Sequence, residues 1–250
     1  MRWIYLSPHL DDAALSAGGF LHEQARLGLP VEVWTLFSGF PQGELSPFAQ
    51  VLHKLWGFSS AEECVRKRRE EDKKAAELLG AHARHFDFLD AIYRRGPQDE
   101  WLYPQDVSVE PHTAEAGLPA QIAEALSRRL LPEDILVCQL GIGGHVDHLL
   151  ARQAAEKLAS PLWYAADIPY LLNNPEELEP LTAGLDRAVQ PVPESALVPW
   201  EKAIRAYESQ LSTVFQDPAG IGELVRKYWE SSQGLCLWRS ANRLVRTIET

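Results

Sequence analysis

The apolar positions of the chain fall into short runs separated by longer amphipathic stretches. Trp3 to Ser7 is such a run, closed by Pro8; Val31 to Phe37 is a second, and Asp134 to Leu140 is the strongest. Runs of this length and composition predict buried strands. Phe86 to Leu89 and Leu162 to Ala165 are weaker strand candidates. Leu15, Phe20 and Leu21 share related faces of a helix that Gly28 and Pro30 stop, and further helical patterns cover about 60–79, 116–131, 148–159, 199–211 and 221–232. Strands alternating with helices predict an α/β fold, a mostly parallel sheet with helices on both faces.

Two stretches stand outside this alternation. Residues 39–58 mix Gly, Pro and aromatics, and 94–119 carry Trp101, Tyr103 and His112. Both read as long loops of the kind that shape pockets. The Pro-rich run from Gln190 to Pro199 introduces a C-terminal helical portion at about 195–250 without marking a domain boundary. One domain over residues 1–250 is the expectation.

Composition then removes several function classes. The 250 residues are 46% hydrophobic and 24% charged, which excludes disorder as a whole-chain reading. Against 35 Asp+Glu stand 24 Lys+Arg, a net charge of −11 that argues against nucleic acid or an anionic membrane as the main partner. No uncharged apolar stretch reaches the roughly 18 residues of a membrane span. Asp11 and Asp12 end the first apolar run before a signal-peptide core could form. Cys64, Cys138 and Cys236 lie far apart with no CxxC pair, so neither a disulfide framework nor a cysteine zinc site is expected. Cys138, inside a predicted strand, reads as an inert buried thiol. A soluble, cytoplasmic protein is expected.

Chemistry concentrates at two predicted strand-to-helix junctions, where ligands of doubly wound folds sit. The first is Ser7-Pro8-His9-Leu10-Asp11-Asp12. Taken alone, it also fits helix capping. The second is Gly141-Ile142-Gly143-Gly144-His145-Val146-Asp147-His148, with three titratable groups in four positions on a glycine-rich loop. Neither packing nor solubility demands that set. His9, Asp12 and His148 make a His₂-Asp ligand set with a position left for water, as catalytic zinc sites have, and such a set also admits Fe²⁺. A dinucleotide fingerprint at Gly141-x-Gly143 fails, because Val146 stands where the third glycine belongs and His145 intrudes on the pyrophosphate position.

Together the two segments resemble the PIG-L/LmbE-like de-N-acetylase family, whose His-Pro-Asp-Asp-Glu and His-x-Asp-His motifs stand here as His9-Leu10-Asp11-Asp12-Ala13 and His145-Val146-Asp147-His148. The resemblance extends to Gly18-Gly19, Arg68-Arg69-Glu70-Glu71, Phe88-Leu89-Asp90-Ala91, Asp167-Ile168-Pro169-Tyr170 and Tyr207-Glu208-Ser209-Gln210. It implies a Rossmann-like fold and zinc-dependent hydrolysis of an acetamide on an N-acetylglucosamine-type sugar or glycoconjugate. It also implies His9, Asp12 and His148 as metal ligands, Asp11 as general base, His145 as acid or oxyanion donor, and Asp147 orienting a histidine. Homo-oligomers are common in such a family. Leu10 and Ala13 depart from the motif, and the second removes a carboxylate from the edge of the site.

Arg68 falls on an apolar helical stripe with Ala61, Val65, Ala75, Ala76 and Leu79. It is read either as a substrate-binding cation or as the partner of Asp72 in an i,i+4 pair. Asp90 is read as a sugar-binding carboxylate or a turn cap, and Trp101, Tyr103 and Tyr170 as stacking platforms or loop anchors. Two other functions compete with the deacetylase. One is a metal-dependent hydrolase of a non-sugar amide, the other a non-catalytic sugar- or nucleotide-binding α/β module.

Overall fold

A computed structural model describes residues 1–215 and 218–240. The strands are β1 (Arg2–Ser7), β2 (Val31–Thr35), β3 (His82–His85), β4 (Asp134–Gln139), β5 (Leu162–Ala165), β6 (Leu185–Pro191) and β7 (Gly234–Ser240). The helices are α1 (Asp12–Arg26), α2 (Pro47–Leu55), α3 (Ala61–Leu78), α4 (Leu118–Ser127), α5 (Val146–Glu156), α6 (Tyr170–Asn173), α7 (Leu178–Thr182), α8 (Leu197–Arg205), α9 (Leu211–Val214) and α10 (Ile221–Glu230). The strands form one sheet in the order β3-β2-β1-β4-β5-β7-β6. The first five run parallel, and β7 pairs antiparallel with both β5 and β6. The parallel part has the doubly wound 3-2-1-4-5 order, so the α/β, mostly parallel expectation holds.

Strand periodicity puts alternate residues on opposite faces, and β1 feeds both layers. Trp3 and Tyr5 pack with Ala17, Phe20 and Ala203 of α1 and α8, whereas Ile4 and Leu6 pack with Ile122, Leu126 and Leu150 of α4 and α5. Burial on both faces explains why β1 and β4 read as continuous apolar runs.

Three expectations are corrected. The third strand is His82–His85, not Phe86–Leu89. It is an edge strand, which tolerates a polar sequence, while Phe86 packs into the core just past its end. The stretch 39–58 contains α2, capped by Ser46 Oγ accepting the Ala49 amide at 2.9 Å and started by Pro47 at the first helical turn. The C-terminal portion is not wholly helical, because β7 inserts Leu235 and Leu237 into the core beside β5. Residues 241–250 of that portion lie outside the described residues. Among the described residues, no helix is long and apolar enough to cross a membrane.

The Gly18-Gly19 pair seats α8 against α1. Trp200 Nε1 donates to the Ala14 carbonyl at 2.6 Å, and a Cβ on Gly18 would lie 2.4 Å from the indole ring. On an exposed helix, Gly→Ala stabilises by about 1 kcal/mol. Here the hydrogen-bonded indole cannot retreat, so the sign reverses. Gly18→Ala is expected to destabilise by about 1–2 kcal/mol, read as a lower midpoint in thermal denaturation.

Candidate metal and active site

His9, Asp11 and Asp12 lie where β1 gives way to α1; His145, Asp147 and His148 lie where β4 gives way to α5. Since β1 and β4 are paired, with Leu6 opposite Cys138, the two junctions meet side by side at the carboxyl ends of the strands. The helices that follow go to opposite faces of the sheet, which opens a crevice between them. Ser7 Oγ donates to the His9 carbonyl at 2.7 Å and accepts the Ala13 amide at 3.1 Å, folding the intervening turn against the helix start. Leu10 and Ala13 themselves are buried in the protein interior.

One oxygen organises the centre. Asp12 Oδ2 accepts the His9 amide at 2.8 Å and lies 3.3 Å from His9 Nδ1 and 3.4 Å from His148 Nε2. The far nitrogens of both rings face other carboxylates. His9 Nε2 is 3.0 Å from Asp147 Oδ2, and His148 Nδ1 is 2.8 Å from Asp167 Oδ1. Because a carboxylate only accepts, each far nitrogen carries a proton. The near nitrogens face a carboxylate as well, and against the effect of burial Asp12 raises the pKa of both rings, so a bound ion would take the place of the near protons. Burial by itself would raise the Asp12 carboxyl, but His148 and His9 hold it well below the usual carboxylate range.

Asp11 is the N-cap of α1, yet its side chain makes no cap hydrogen bond. It faces the cleft instead, with Arg68 Nη2 at 3.7 Å. Burial pushes its carboxyl up to about 7, with Arg68 opposing the shift and Asp12 adding to it. His145 caps α5, its Nδ1 accepting the Asp147 amide at 3.1 Å, so the proton of the neutral ring sits on Nε2. Burial, together with His9 and His148, holds the His145 pKa well below its ordinary value, which makes the ring a neutral donor.

The cleft above these groups has a volume of about 570 Å³. Phe48, Leu52 and Trp56 form one wall, and Thr213 and Val214 line it from α9. Arg68 reaches it under the Trp56 ring, 5.0 Å from the centroid. The alternative pairing of Arg68 with Asp72 does not form. Asp72 turns inward, accepting from Tyr207 Oη at 2.7 Å and Thr35 Oγ1 at 3.0 Å, with His85 Nε2 at 2.8 Å. Asp90 takes the turn-cap role, its Oδ1 accepting the Ile92 amide at 3.2 Å, and its side chain also lines the cleft. Of the three aromatics, only Tyr170 lines the cleft, edge-on to His148 at 5.5 Å. Gly143 makes room for it: φ is +81°, and a Cβ would lie 2.5 Å from the Tyr170 ring. Trp101 packs on Arg95 instead, and Tyr103 hydrogen-bonds Glu115.

Residues 4–159 match the PIG-L family, described as GlcNAc-PI de-N-acetylase. The chain belongs to the PIG-L family. The 2'-N-acetylparomamine deacetylase of Streptomyces fradiae is 29% identical over 177 residues, 68% of this chain and 57% of that relative. This PIG-L chain therefore spans little more than half of that protein's length. A deacetylase-bog complex from the teicoplanin biosynthesis pathway superposes with a TM-score of 0.82 at 29% identity, covering 97% of this chain and all of the other. The zinc-inhibited form of a teicoplanin deacetylase superposes with a TM-score of 0.81 at 28% identity, covering 97% of this chain and 100% of that one. These PIG-L relatives are deacetylases, and deacetylases are hydrolases.

The donor set fits a divalent ion. Tetrahedral coordination with bonds of about 2.0–2.1 Å places neighbouring donors about 3.3–3.4 Å apart. Asp12 Oδ2 stands at those separations from His9 Nδ1 and His148 Nε2. His148 Nε2 is also buried without a hydrogen-bond partner among the described residues, a cost that a ligated ion removes. Two further groupings lie close together, His9 with His145 and His148, and His9 with Asp90 and Asp147. In the first, His145 Nδ1 already accepts the Asp147 amide, and in the second His9 and Asp147 hydrogen-bond each other.

Sequence reasoning assigned no role to Asp167, which is fully buried and also accepts the Gly141 and Ile142 amides at 2.9 and 3.0 Å. A carboxylate just past a strand end, at the edge where both motifs sit, was the available signal. Elemental analysis of purified protein is expected to find about one divalent ion per chain, with a strong loss in His148→Ala.

Proposed function

We propose that the protein is a metal-dependent N-deacetylase that releases acetate from an N-acetylated amino sugar, with Zn²⁺ as the ion. The observation that carries this reading is the convergence of His9 Nδ1 and His148 Nε2 on Asp12 Oδ2, each ring backed by a buried carboxylate. In it His9, Asp12 and His148 are the metal ligands. A divalent ion held there supplies Lewis-acid polarisation of the amide carbonyl and makes water a better nucleophile at neutral pH. Fe²⁺ would satisfy the same donors.

The remaining steps belong to the chain. Asp11, free of any capping bond, takes the proton from the attacking water as oxygen adds to the acetamide carbon. His145 Nε2–H donates to the carbonyl oxygen as negative charge develops there. The C–N bond then breaks, acetate departs, and the sugar nitrogen takes up the proton that Asp11 received. Asp147 orients His9 through Nε2. Arg68 and Asp90, whose Oδ2 lies 3.9 Å from His9 Nε2, bind sugar hydroxyls from the cleft wall.

The relatives' names support an amino sugar built into a larger molecule, an aminoglycoside or a glycopeptide. The wall formed by Phe48, Leu52 and Trp56 supports the same substrate class, since it offers apolar surface beside a polar floor. The test is acetate release from a panel of N-acetylglucosaminides and N-acetylated aminoglycosides, with simple non-sugar amides as comparison. Turnover confined to the non-sugar amides would replace the substrate, and no turnover by the metal-loaded protein would end the deacetylase reading. Asp11→Asn is expected to keep its metal while kcat falls by roughly 10²–10⁴-fold, and full activity in that variant would remove the base assignment.

A further inference from the structure

The long irregular stretch after residue 93 begins with an arginine that the chemistry above leaves unused. Arg94 is buried, and its Nη1 donates to Asp147 Oδ1 at 2.5 Å and to the Leu89 carbonyl at 2.9 Å. Its Nη2 donates to Glu115 Oε2 at 3.4 Å, and its Nε lies against Glu115 Oε1. Tyr103 Oη in turn donates to Glu115 and accepts the His112 amide at 2.8 Å. The Phe37 and Tyr103 rings each approach the guanidinium carbon to 5.2 Å. Phe37 also packs on the His9 ring, with centroids 6.2 Å apart.

Asp147 is fully buried, and a buried carboxylate is tolerated only with a countercharge and filled hydrogen-bonding positions. Its Oδ2 is shared by the Ala91 amide at 2.9 Å and His9 Nε2 at 3.0 Å, and its Oδ1 is held by Arg94. Without Arg94 the carboxylate could turn about its Cβ–Cγ bond, and the His9 ring would turn with it. A rotation of His9 swings Nδ1 away from Asp12 Oδ2.

We propose that Arg94, braced by Glu115 and Tyr103, is a positioning residue that locks Asp147 and thereby aims His9 Nδ1 at the metal position. The proposal rests on the metal-site reading. Residues 94–119 thus serve the site through a buried ion pair as well as by packing Tyr103 into the core.

The test measures zinc affinity by chelator competition and the visible spectrum of the Co²⁺-loaded protein. It compares wild type with Arg94→Met, Arg94→Lys and Glu115→Gln, with circular dichroism as the check on folding. Arg94→Met is expected to bind zinc roughly 10–100-fold more weakly and to show an altered Co²⁺ spectrum. Arg94→Lys, which keeps the charge but not the fork, should recover part of the loss. Glu115→Gln, which keeps the arginine and loosens its brace, should fall between wild type and Arg94→Met. If Arg94→Met does not fold, the other two variants decide, and wild-type affinity and spectrum in both overturn the proposal. A folded Arg94→Met that binds zinc as tightly as wild type also overturns it, even if activity has dropped. A wild type that takes up no zinc removes the metal-site reading on which the proposal stands.

Discussion

The site depends on the burial of ionised carboxylates whose charge must be met by neighbours. Asp12, Asp147 and Asp167 are all withdrawn from water at the ends of β1, β4 and β5. Each reaches a histidine ring, and the three carboxylates and two rings leave little rotational freedom to any member. Low dielectric makes such an arrangement strong when every polar atom is partnered and costly when one is not. The buried His148 Nε2, without a hydrogen-bond partner among the described residues, stands out for that reason.

Sheet topology makes this possible without strain. β1 and β4 are neighbours whose following helices leave to opposite faces, so both junction loops are freed at one edge and neither helix covers the other's start. The backbone at Gly143 then lets Tyr170 close the side of the cleft next to His148. Across the crevice, Arg68 comes from α3, whose inward partner Asp72 is occupied by groups from β2, from β3 and from the segment after α8.

Much of this was legible in the sequence, because the parallel strands and the ligand-bearing loops are local features. Strands buried on both faces announce themselves as unbroken apolar runs, and Gly-rich loops crowded with His and Asp have few structural uses. The edge strands were harder to read. His82-Ala83-Arg84-His85 and Leu185–Pro191 are polar enough to pass for loops, and only pairing makes them strands. Partner choice was also out of reach. Arg68 and Asp72 sit four apart on one helix, but the tertiary neighbours of Asp72 outcompete that local pairing. The contacts of Asp167 to His148 and of Arg94 to Asp147 likewise join segments whose sequences carry no trace of each other.

The match to the family ends at residue 159, yet the site does not. Asp167 grips His148, Tyr170 flanks it, and α9 supplies part of the cleft wall. The polypeptide therefore divides its labour along its length. The first part carries the proposed ligands and base and most of the cleft lining, while the part beyond residue 159 supplies one of the grips on them and one side of the surface that a substrate would meet. Substitutions around α9 can reshape what enters the cleft while every proposed ligand keeps its place, so new specificities can arise on an unaltered reaction centre.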